Sequence, residues 1–219
     1  MKDNLDYAAM KSNLYSAVIS DVLDSIGYRH QTMDPAIRPL IHDMVVVGKA
    51  KTVMAADVSR MPQKPYEKLI EVLDQIEPGE VFVAALNGSN RSAFFGELLS
   101  TATRARGGCG AVIDGLSRDS KKIIEMGFPL FSRGYRPTDS LGRNEVMEYD
   151  VVIDCGGVAV SPGDIIFGDI DGIVVIPAAV AQEVIAKAFE KVNAENRVRD
   201  AIRHDGLKVA EAYAKFGVL

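Results

Sequence analysis

The stretch GGCGAVIDGLSRD, residues 107–119, joins a glycine-rich turn, a short apolar run and a charged end. Its apolar run, Ala111 to Ile113, is typical of a buried strand. Arg118 and Asp119 follow shortly after that run. In α/β sheets, ligands bind outside the carboxyl ends of the strands. The stretch therefore predicts an α/β sheet with a polar site beside one strand end.

The glycines of this stretch are not those of a nucleotide-binding loop. In such a loop the glycines follow a strand and open a helix, whereas Gly107 and Gly108 precede the strand. We interpret them as a helix stop and as a place where two backbone segments approach closely.

Outside this stretch, the apolar spacing predicts helices that alternate with short strands. Helices are predicted over residues 5–26, 66–76, 96–106, 120–126 and the last 40 residues. Strands are predicted at 44–54, 81–86 and 110–113, and near 129–132, 150–153, 157–160, 165–167 and 173–176. We expect one α/β domain over residues 1–219, with a parallel crossover in 81–113 and an antiparallel or mixed second layer formed by the later strands.

The composition excludes several classes of protein. The chain has 219 residues, of which 47% are hydrophobic, and its net charge of −5 makes it a poor ligand for nucleic acid. No apolar run reaches the roughly 18 residues of a membrane span, and acidic residues interrupt the N-terminus where a signal peptide needs an apolar core. Cys109 and Cys155 lie far apart and are typical of free thiols in a reducing compartment. We therefore expect a cytoplasmic protein that binds neither nucleic acid nor a membrane.

Arg118 and Asp119 are the strongest candidates for a site. Asp119 has two open interpretations, because an aspartate can cap the helix predicted at 120–126 or ligate a divalent cation. The planar fork of Arg118 suits a carboxylate. Upstream, the helix that begins at Gly96 would offer backbone N–H groups to an anion, and Glu97 in its first turn would also complement the helix dipole.

Four motifs taken together carry a family likeness. They are GELL (96–99), GAVIDGLSRD (110–119), PLFSRG (129–134) and SPGDIIFGDIDGIVVIP (161–177). In this order the set resembles the family of the regulator of ribonuclease activity A and the 4-hydroxy-4-methyl-2-oxoglutarate aldolases. The resemblance implies an α/β fold with a swivelling β/β/α core like that of phosphohistidine domains, flanked by N- and C-terminal helices. It also implies homotrimers, often stacked into homohexamers, with sites between subunits.

The resemblance to the aldolase branch also implies roles for individual residues. Asp119 would bind Mg²⁺ or another divalent metal such as Mn²⁺, and Arg118 would contact the pyruvoyl part of a 2-oxo acid substrate. Glu97 would order a water, although aldolases of this type often have Asp at that position, and Glu195 of a neighbouring subunit would complete the site. The substrate carboxylate would bind at the helix start formed by Gly96, Leu98, Leu99, Ser100 and Thr101.

The activity implied by the resemblance is a metal-dependent lyase reaction. A 4-hydroxy-2-oxo acid, such as 4-hydroxy-4-methyl-2-oxoglutarate, would be cleaved to pyruvate and a carbonyl product, with oxaloacetate decarboxylation as a companion activity. One alternative is a non-catalytic regulator that binds an endoribonuclease, but the short regulators lack the C-terminal helical extension of this chain. A second alternative is a Schiff-base lyase that uses Lys49 or Lys51, although two lysines on one strand face are more typical of a solvated surface.

Overall fold

The computed structural model describes residues 5–217 as a mixed β-sheet with flanking helices. Residues 1–4 and 218–219, the two ends of the predicted 1–219 domain, lie outside the described residues. The helices are α1 (Tyr7–Asn13), α2 (Ser16–Ser25), α3 (Glu67–Asp74), α4 (Glu97–Ala105), α5 (Ser120–Met126), α6 (Ala181–His204) and α7 (Val209–Phe216). The strands are β1 (Arg38–Pro39), β2 (Val46–Asp57), β3 (Glu80–Phe95), β4 (Gly110–Ser117), β5 (Leu130–Tyr135), β6 (Asn144–Tyr149), β7 (Ile153–Cys155), β8 (Val158–Val160), β9 (Ile165–Asp169) and β10 (Gly172–Ile176).

The main sheet has the strand order β1-β5-β4-β3-β2-β9-β10, and β6 pairs with the far end of β2. Strands β2, β3, β4 and β5 run parallel, which confirms the predicted crossover. The prediction of a second layer is wrong for β9 and β10, because this antiparallel hairpin joins the main sheet through β2. Every residue of both strands is buried, as in strands that are covered on both faces. Strands β7 and β8 alone form a separate two-stranded sheet among the described residues.

Two apolar clusters hold these layers together. The larger surrounds β3, β4 and β5 and includes the rings of Phe82, Phe95 and Phe128. The smaller joins α1, α2 and α6 to β9 and β10 through side chains such as Leu23 and Phe167. The coarse α/β prediction is confirmed, whereas the swivelling β/β/α description stays a prediction. None of the helices within residues 5–217 has the length and apolar character needed to cross a membrane.

The predicted helix over residues 5–26 is two helices. The chain is extended at Leu14 and Tyr15, between α1 and α2. The break lets α2 begin against the sheet, since the backbone N–H and the hydroxyl of Ser16 both donate to the buried carboxylate of Asp169, at 2.8 and 2.7 Å. This carboxylate satisfies groups that a helix start leaves without a backbone partner. An uninterrupted helix would lose both hydrogen bonds.

Strands β3 and β4 extend well beyond their predicted ends, to Phe95 and Ser117. Their pairing continues through several shifts of register after Ala85. The extension carries both strands to the same edge of the sheet before α4 and α5 begin. The starts of α4 and α5, where the sequence predicts the site residues, therefore lie next to each other.

Candidate active site

The two chain segments of the predicted site lie side by side. Helix α4 follows β3 directly, and α5 follows β4, which is the parallel neighbour of β3. The backbone N–H of Arg118 donates to the carbonyl of Phe95 at 2.9 Å. This bond joins the end of β3 to the end of β4 and places Gly96 and Glu97 next to Arg118 and Asp119.

The carboxylate of Asp119 faces α4 and not its own helix. Asp119 occupies the N-cap position of α5 in a left-handed conformation (φ 58°), and its side chain makes no capping hydrogen bond there. Its Oδ2 instead accepts from the backbone N–H of Glu97, in the first turn of α4, at 3.3 Å. The capping interpretation is therefore wrong. The side chain remains 43% exposed and is available to a ligand.

Gly96 provides the space that this arrangement needs. A Cβ atom at Gly96 would lie 2.8 Å from Oδ2 of Asp119 and 3.1 Å from Cγ of Arg118. The φ angle of Gly96 is −141°, which any residue can adopt. The requirement for glycine is thus steric, and it comes from the two site residues.

The guanidinium of Arg118 is held by a chain of polar groups. Its Nη2 lies 3.2 Å from Oδ1 of Asp139, and its Nε lies 3.7 Å from Oδ2 of Asp119. Asp139 in turn accepts from the hydroxyl of Tyr66 at 2.7 Å and from the N–H of Leu141 at 3.2 Å. Tyr66 and Asp139 are functional candidates that the sequence does not reveal, because both lie outside any recognisable motif.

The charges in this chain of groups are fixed by their surroundings. Burial acts to raise the pKa of the Asp139 carboxyl, but the hydrogen bonds from Tyr66 and from backbone N–H groups and the charge of Arg118 outweigh it, so this pKa lies below its ordinary value. Burial and the hydrogen bond to Asp139 raise the pKa of Tyr66 to about 12. At neutral pH the carboxylate is therefore ionised and the tyrosine is a neutral donor. The ion pair with Arg118 is lost only when the pH falls below the ordinary range of an aspartate.

The start of α4 offers fewer free N–H groups than predicted. The N–H and the hydroxyl of Ser100 both donate to the carbonyl of Gly96 at 3.0 Å, and Thr101 lies one residue further inside the helix. The prediction that the N–H groups of Ser100 and Thr101 hold a carboxylate is therefore revised. An α-helix leaves the N–H groups of its first turn without partners in the helix, and because that of Glu97 donates to Asp119, those of Leu98 and Leu99 remain for a ligand. The candidate anion site therefore has fewer N–H donors than the sequence predicts.

The two predicted glutamates lie in different places. Oε1 of Glu97 accepts from the hydroxyl of Thr101 at 3.1 Å, beside Asp119. Glu195 accepts a hydrogen bond from the hydroxyl of Tyr15, between α1 and α2, and burial together with this bond raises the pKa of Tyr15 to about 12. Within one chain, Glu195 thus belongs to the layer of α1, α2 and α6, and the structure does not bring it to Arg118.

Asp119 is the residue that could hold a metal at this site. Across residues 5–217 no three His, Cys, Asp or Glu side chains are grouped so that they could hold a metal ion. A structural zinc site, which needs four protein ligands, does not fit this arrangement. A single half-exposed carboxylate does fit Mg²⁺ or Mn²⁺, since Mg²⁺ keeps several waters and binds through one or two carboxylates and substrate oxygens.

A cavity of about 290 Å³ opens beside these residues. Its polar end is formed by Arg118, Asp119 and Asp139, next to Gly96. The other walls are largely side chains of α3 and α4. A concave space with a few convergent polar groups is the usual form of a small-molecule site.

The lysines of β2 do not take part in this site. Lys51 is buried, and its Nζ lies 2.7 Å from Oδ2 of Asp150 and 5.8 Å from the centre of the Tyr149 ring. The prediction of a solvated lysine face is wrong for Lys51, because β2 is an interior strand between β3 and β9. Neither Lys49 nor Lys51 lines the cavity beside Arg118. The geometry therefore gives no support to a Schiff-base mechanism.

For the 2-oxo acid substrate that the family resemblance implies, we expect the variant Asp139→Asn to lose about tenfold in kcat/KM, roughly the contribution of one charge-assisted hydrogen bond. The asparagine can still accept from Tyr66 but no longer pairs its charge with that of Arg118. The loss should be seen mainly in KM, because Arg118 would still be present but less well oriented. Steady-state kinetics would measure it. The control is Asp74→Asn, which removes an exposed ion pair with Arg106 at 2.9 Å and should change neither parameter.

The sequence and the fold of this chain are similar to those of known proteins. The family model RraA-like, described as Aldolase/RraA, matches residues 16–175 of the chain. The chain belongs to the RraA-like family. A relative of this RraA-like chain in Halalkalibacterium halodurans, named "Putative 4-hydroxy-4-methyl-2-oxoglutarate aldolase", is 30% identical over 209 residues and covers 95% of this chain and 94% of its own.

Two solved structures of RraA proteins are similar to this chain. RraAS2 of Streptomyces coelicolor, described as an unusual member of the RNase ES inhibitor RraA family, superposes with a TM-score of 0.78 at 30% identity. The match covers 91% of this chain and 98% of RraAS2. RraA of Thermus thermophilis, described as an RNA-processing inhibitor, superposes with a TM-score of 0.59 at 22% identity. The match covers 72% of this chain and 92% of the Thermus protein, and at this identity it supports the fold alone.

These coverages correct one inference from the sequence. The C-terminal extension was expected to favour a lyase over a regulator. RraAS2 matches nearly the full length of this chain, so a described member of the inhibitor family shares at least part of the extension. The extension is therefore not confined to relatives named as aldolases, so its presence alone does not decide between a lyase and a regulator.

Proposed function

We propose that this RraA-like protein is a divalent-metal-dependent lyase that acts on a 4-hydroxy-2-oxo acid. The substrate, 4-hydroxy-4-methyl-2-oxoglutarate or a similar compound, would be cleaved to pyruvate and a carbonyl product, and oxaloacetate would be decarboxylated as a side reaction. One observation carries the proposal: the carboxylate of Asp119, the guanidinium of Arg118 and the start of α4 converge on one cavity. They would serve as a metal ligand, a cation and an anion-binding helix end, as a 2-oxo acid requires.

Each group of the substrate would contact a different part of the site. The N–H groups of Leu98 and Leu99 and the positive end of α4 would bind the carboxylate at C1. Arg118, oriented by Asp139, would lie against the oxo group at C2, where negative charge develops as the C3–C4 bond breaks. Asp119 would hold Mg²⁺ or Mn²⁺, and the bound ion would polarise the oxo group.

The reaction needs two proton movements. The proton of the 4-hydroxyl leaves, the electron pair of the C3–C4 bond passes into the enolate of pyruvate, and C3 then receives a proton. Glu97, with Oε1 already engaged by Thr101, would order the water that carries these protons. Glu195 of a neighbouring subunit would assist, in a homotrimer or homohexamer, since within one chain Glu195 lies with Tyr15 in the other layer.

The test is pyruvate release from 4-hydroxy-4-methyl-2-oxoglutarate and from oxaloacetate, with Mg²⁺ and with EDTA. We expect release with Mg²⁺, loss of release with EDTA, and recovery when excess Mg²⁺ is added back. The folded state in each condition is checked by circular dichroism. A folded, Mg²⁺-supplied protein that releases no pyruvate from either compound would contradict the proposal.

A second candidate function is that of a non-catalytic regulator, which the likeness to RraAS2 favours. Such a regulator would bind an endoribonuclease and would not need the metal. Stable capture of an endoribonuclease in the presence of EDTA, together with no pyruvate release, would favour the regulator over the lyase.

A further inference from the structure

The cavity beside Arg118 has an apolar end as well as a polar one. Its apolar wall is formed by Leu69, Ile70 and Leu73 of α3 and by Leu98 and Leu99 of α4. Leu69 and Leu73 are buried, but Ile70 is 54% exposed and Leu98 is 73% exposed. Large apolar side chains left open to water beside a cavity gain from contact with an apolar part of a ligand.

The charges at the cavity favour a ligand with one carboxylate over a ligand with two. Among the described residues that line it, Arg118 is the one cation, and it is already shared between Asp119 and Asp139. The helix start at Leu98 and Leu99 can neutralise the carboxylate at C1. A second carboxylate would find no further cation in the lining and would approach the ionised side chain of Asp139, which repels it. In the proposed assembly, Glu195 of a neighbouring subunit would add negative charge.

The geometry also fixes which part of the substrate meets the apolar wall. With C1 at the start of α4 and the oxo group at Arg118, the C4 end must extend toward α3. The volume of about 290 Å³ lies at the small end of ligand cavities, which span roughly 300–1,000 Å³. A short substituent would therefore fill the remaining space.

We propose that the cavity prefers 2-oxo acids whose C4 end is short, uncharged and apolar to those that carry a second carboxylate there. This inference rests on the proposed function, because it names the substrate class of the same site. The preferred cleavage would release pyruvate and a small uncharged aldehyde or ketone. Among 4-hydroxy-2-oxo acids, 4-hydroxy-4-methyl-2-oxohexanoate would be cleaved better than 4-hydroxy-4-methyl-2-oxoglutarate, from which it differs by an ethyl group in place of a carboxylate.

The test uses two ligands that cannot be cleaved, since neither has a 4-hydroxyl group. 2-Oxopentanoate and 2-oxoglutarate are identical through C4 and differ in a methyl or a carboxylate at C5. Calorimetric titration of the Mg²⁺-supplied full chain should show tighter binding of 2-oxopentanoate by about tenfold, the effect of one uncompensated charge. The variant Ile70→Arg adds a cation at the mouth and should reverse this order. The control is Val209→Arg, on α7, which changes a residue of matched exposure (53%) away from the cavity and should leave the order unchanged.

Pyruvate release measured in parallel separates the failure of this inference from the failure of the lyase proposal. Equal or tighter binding of 2-oxoglutarate by the unmodified protein would overturn the inference. If the protein then still released pyruvate from 4-hydroxy-4-methyl-2-oxoglutarate, the lyase proposal would stand. No binding of either acid, together with no release from either hydroxy acid, would overturn both.

Discussion

Replacing Asp119 with asparagine should remove metal-dependent pyruvate release, by at least about 100-fold in kcat/KM, since even residues that only support a metal ligand contribute roughly 10–100-fold. Asparagine is the informative replacement because Asp119 has a φ angle of 58°. Asparagine adopts this left-handed conformation readily, whereas alanine would add backbone strain. The amide oxygen can still accept from the N–H of Glu97, so the fold should survive while the charge is lost.

Two measurements check this expectation. Calorimetric titration with Mg²⁺ should show that the variant has lost its affinity for the ion, and thermal unfolding should show that the ion no longer raises its melting temperature. The control is Asp43→Asn, in an exposed turn, which should bind Mg²⁺ and release pyruvate as the unmodified protein does. A variant that is inactive but still binds Mg²⁺ normally would assign Asp119 a different role.

The variant Gly96→Ala should lose about 100-fold in kcat/KM, the effect expected when site groups are displaced by about 1 Å. The added methyl group would lie 2.8 Å from Oδ2 of Asp119, which real Cβ atoms essentially never do, and 3.1 Å from Cγ of Arg118, which is a tight contact. Because the φ angle at Gly96 suits alanine, the backbone need not change. The two side chains must move instead, which changes the distance between the carboxylate of Asp119 and the guanidinium of Arg118.

The matched control for this variant is Gly115→Ala in β4. There the three atoms nearest to the new methyl group, at 3.3 to 3.4 Å, all belong to Leu86, which does not line the cavity. Both variants should keep the secondary structure of the parent by circular dichroism, and only Gly96→Ala should lose activity. Full activity in Gly96→Ala would show that the separation of Asp119 and Arg118 is not critical.

The elements that were predicted correctly are those whose own residues show a clear apolar spacing and a clear end. Helix α5 has the predicted bounds of 120–126, because its apolar spacing ends at Gly127, which adopts the left-handed conformation of a helix stop. Strand β6 escaped prediction since its sequence NEVMEY mixes polar and apolar residues at an edge, where it pairs with β2 only across a bulge at Met54 and Ala55. The strand predicted near 150–153 begins only at Ile153, because Asp150 forms a left-handed turn that pairs with Lys51.

In the site, too, the residues that could be predicted are those with a local sequence signal. Gly96, Glu97, Arg118 and Asp119 are close in sequence and follow neighbouring strands, so their proximity follows from the order of elements. The partners of Arg118 could not be predicted in this way. Asp139 and Tyr66 come from loops on opposite sides of it in sequence. A β-bridge to Ala93 holds Asp139 beside the end of β3, and Tyr66 reaches it from the start of α3. The direction of the Asp119 carboxylate could not be predicted either. It could accept from the N–H groups at the start of α5 or from those at the start of α4, and the sequence does not distinguish the two.

The parallel pairing of β3 and β4 has a consequence for the order in which the molecule folds. Glu97, Arg118 and Asp119 lie within positions 96–119, so these three residues can come together once β3, α4 and β4 have closed into a strand, helix and strand. The last part of the sheet requires Val46 to meet Gly168 across most of the chain. Contacts between distant residues form slowly because they close large loops. We therefore expect amide protection during refolding to develop around Arg118 before it develops in β9.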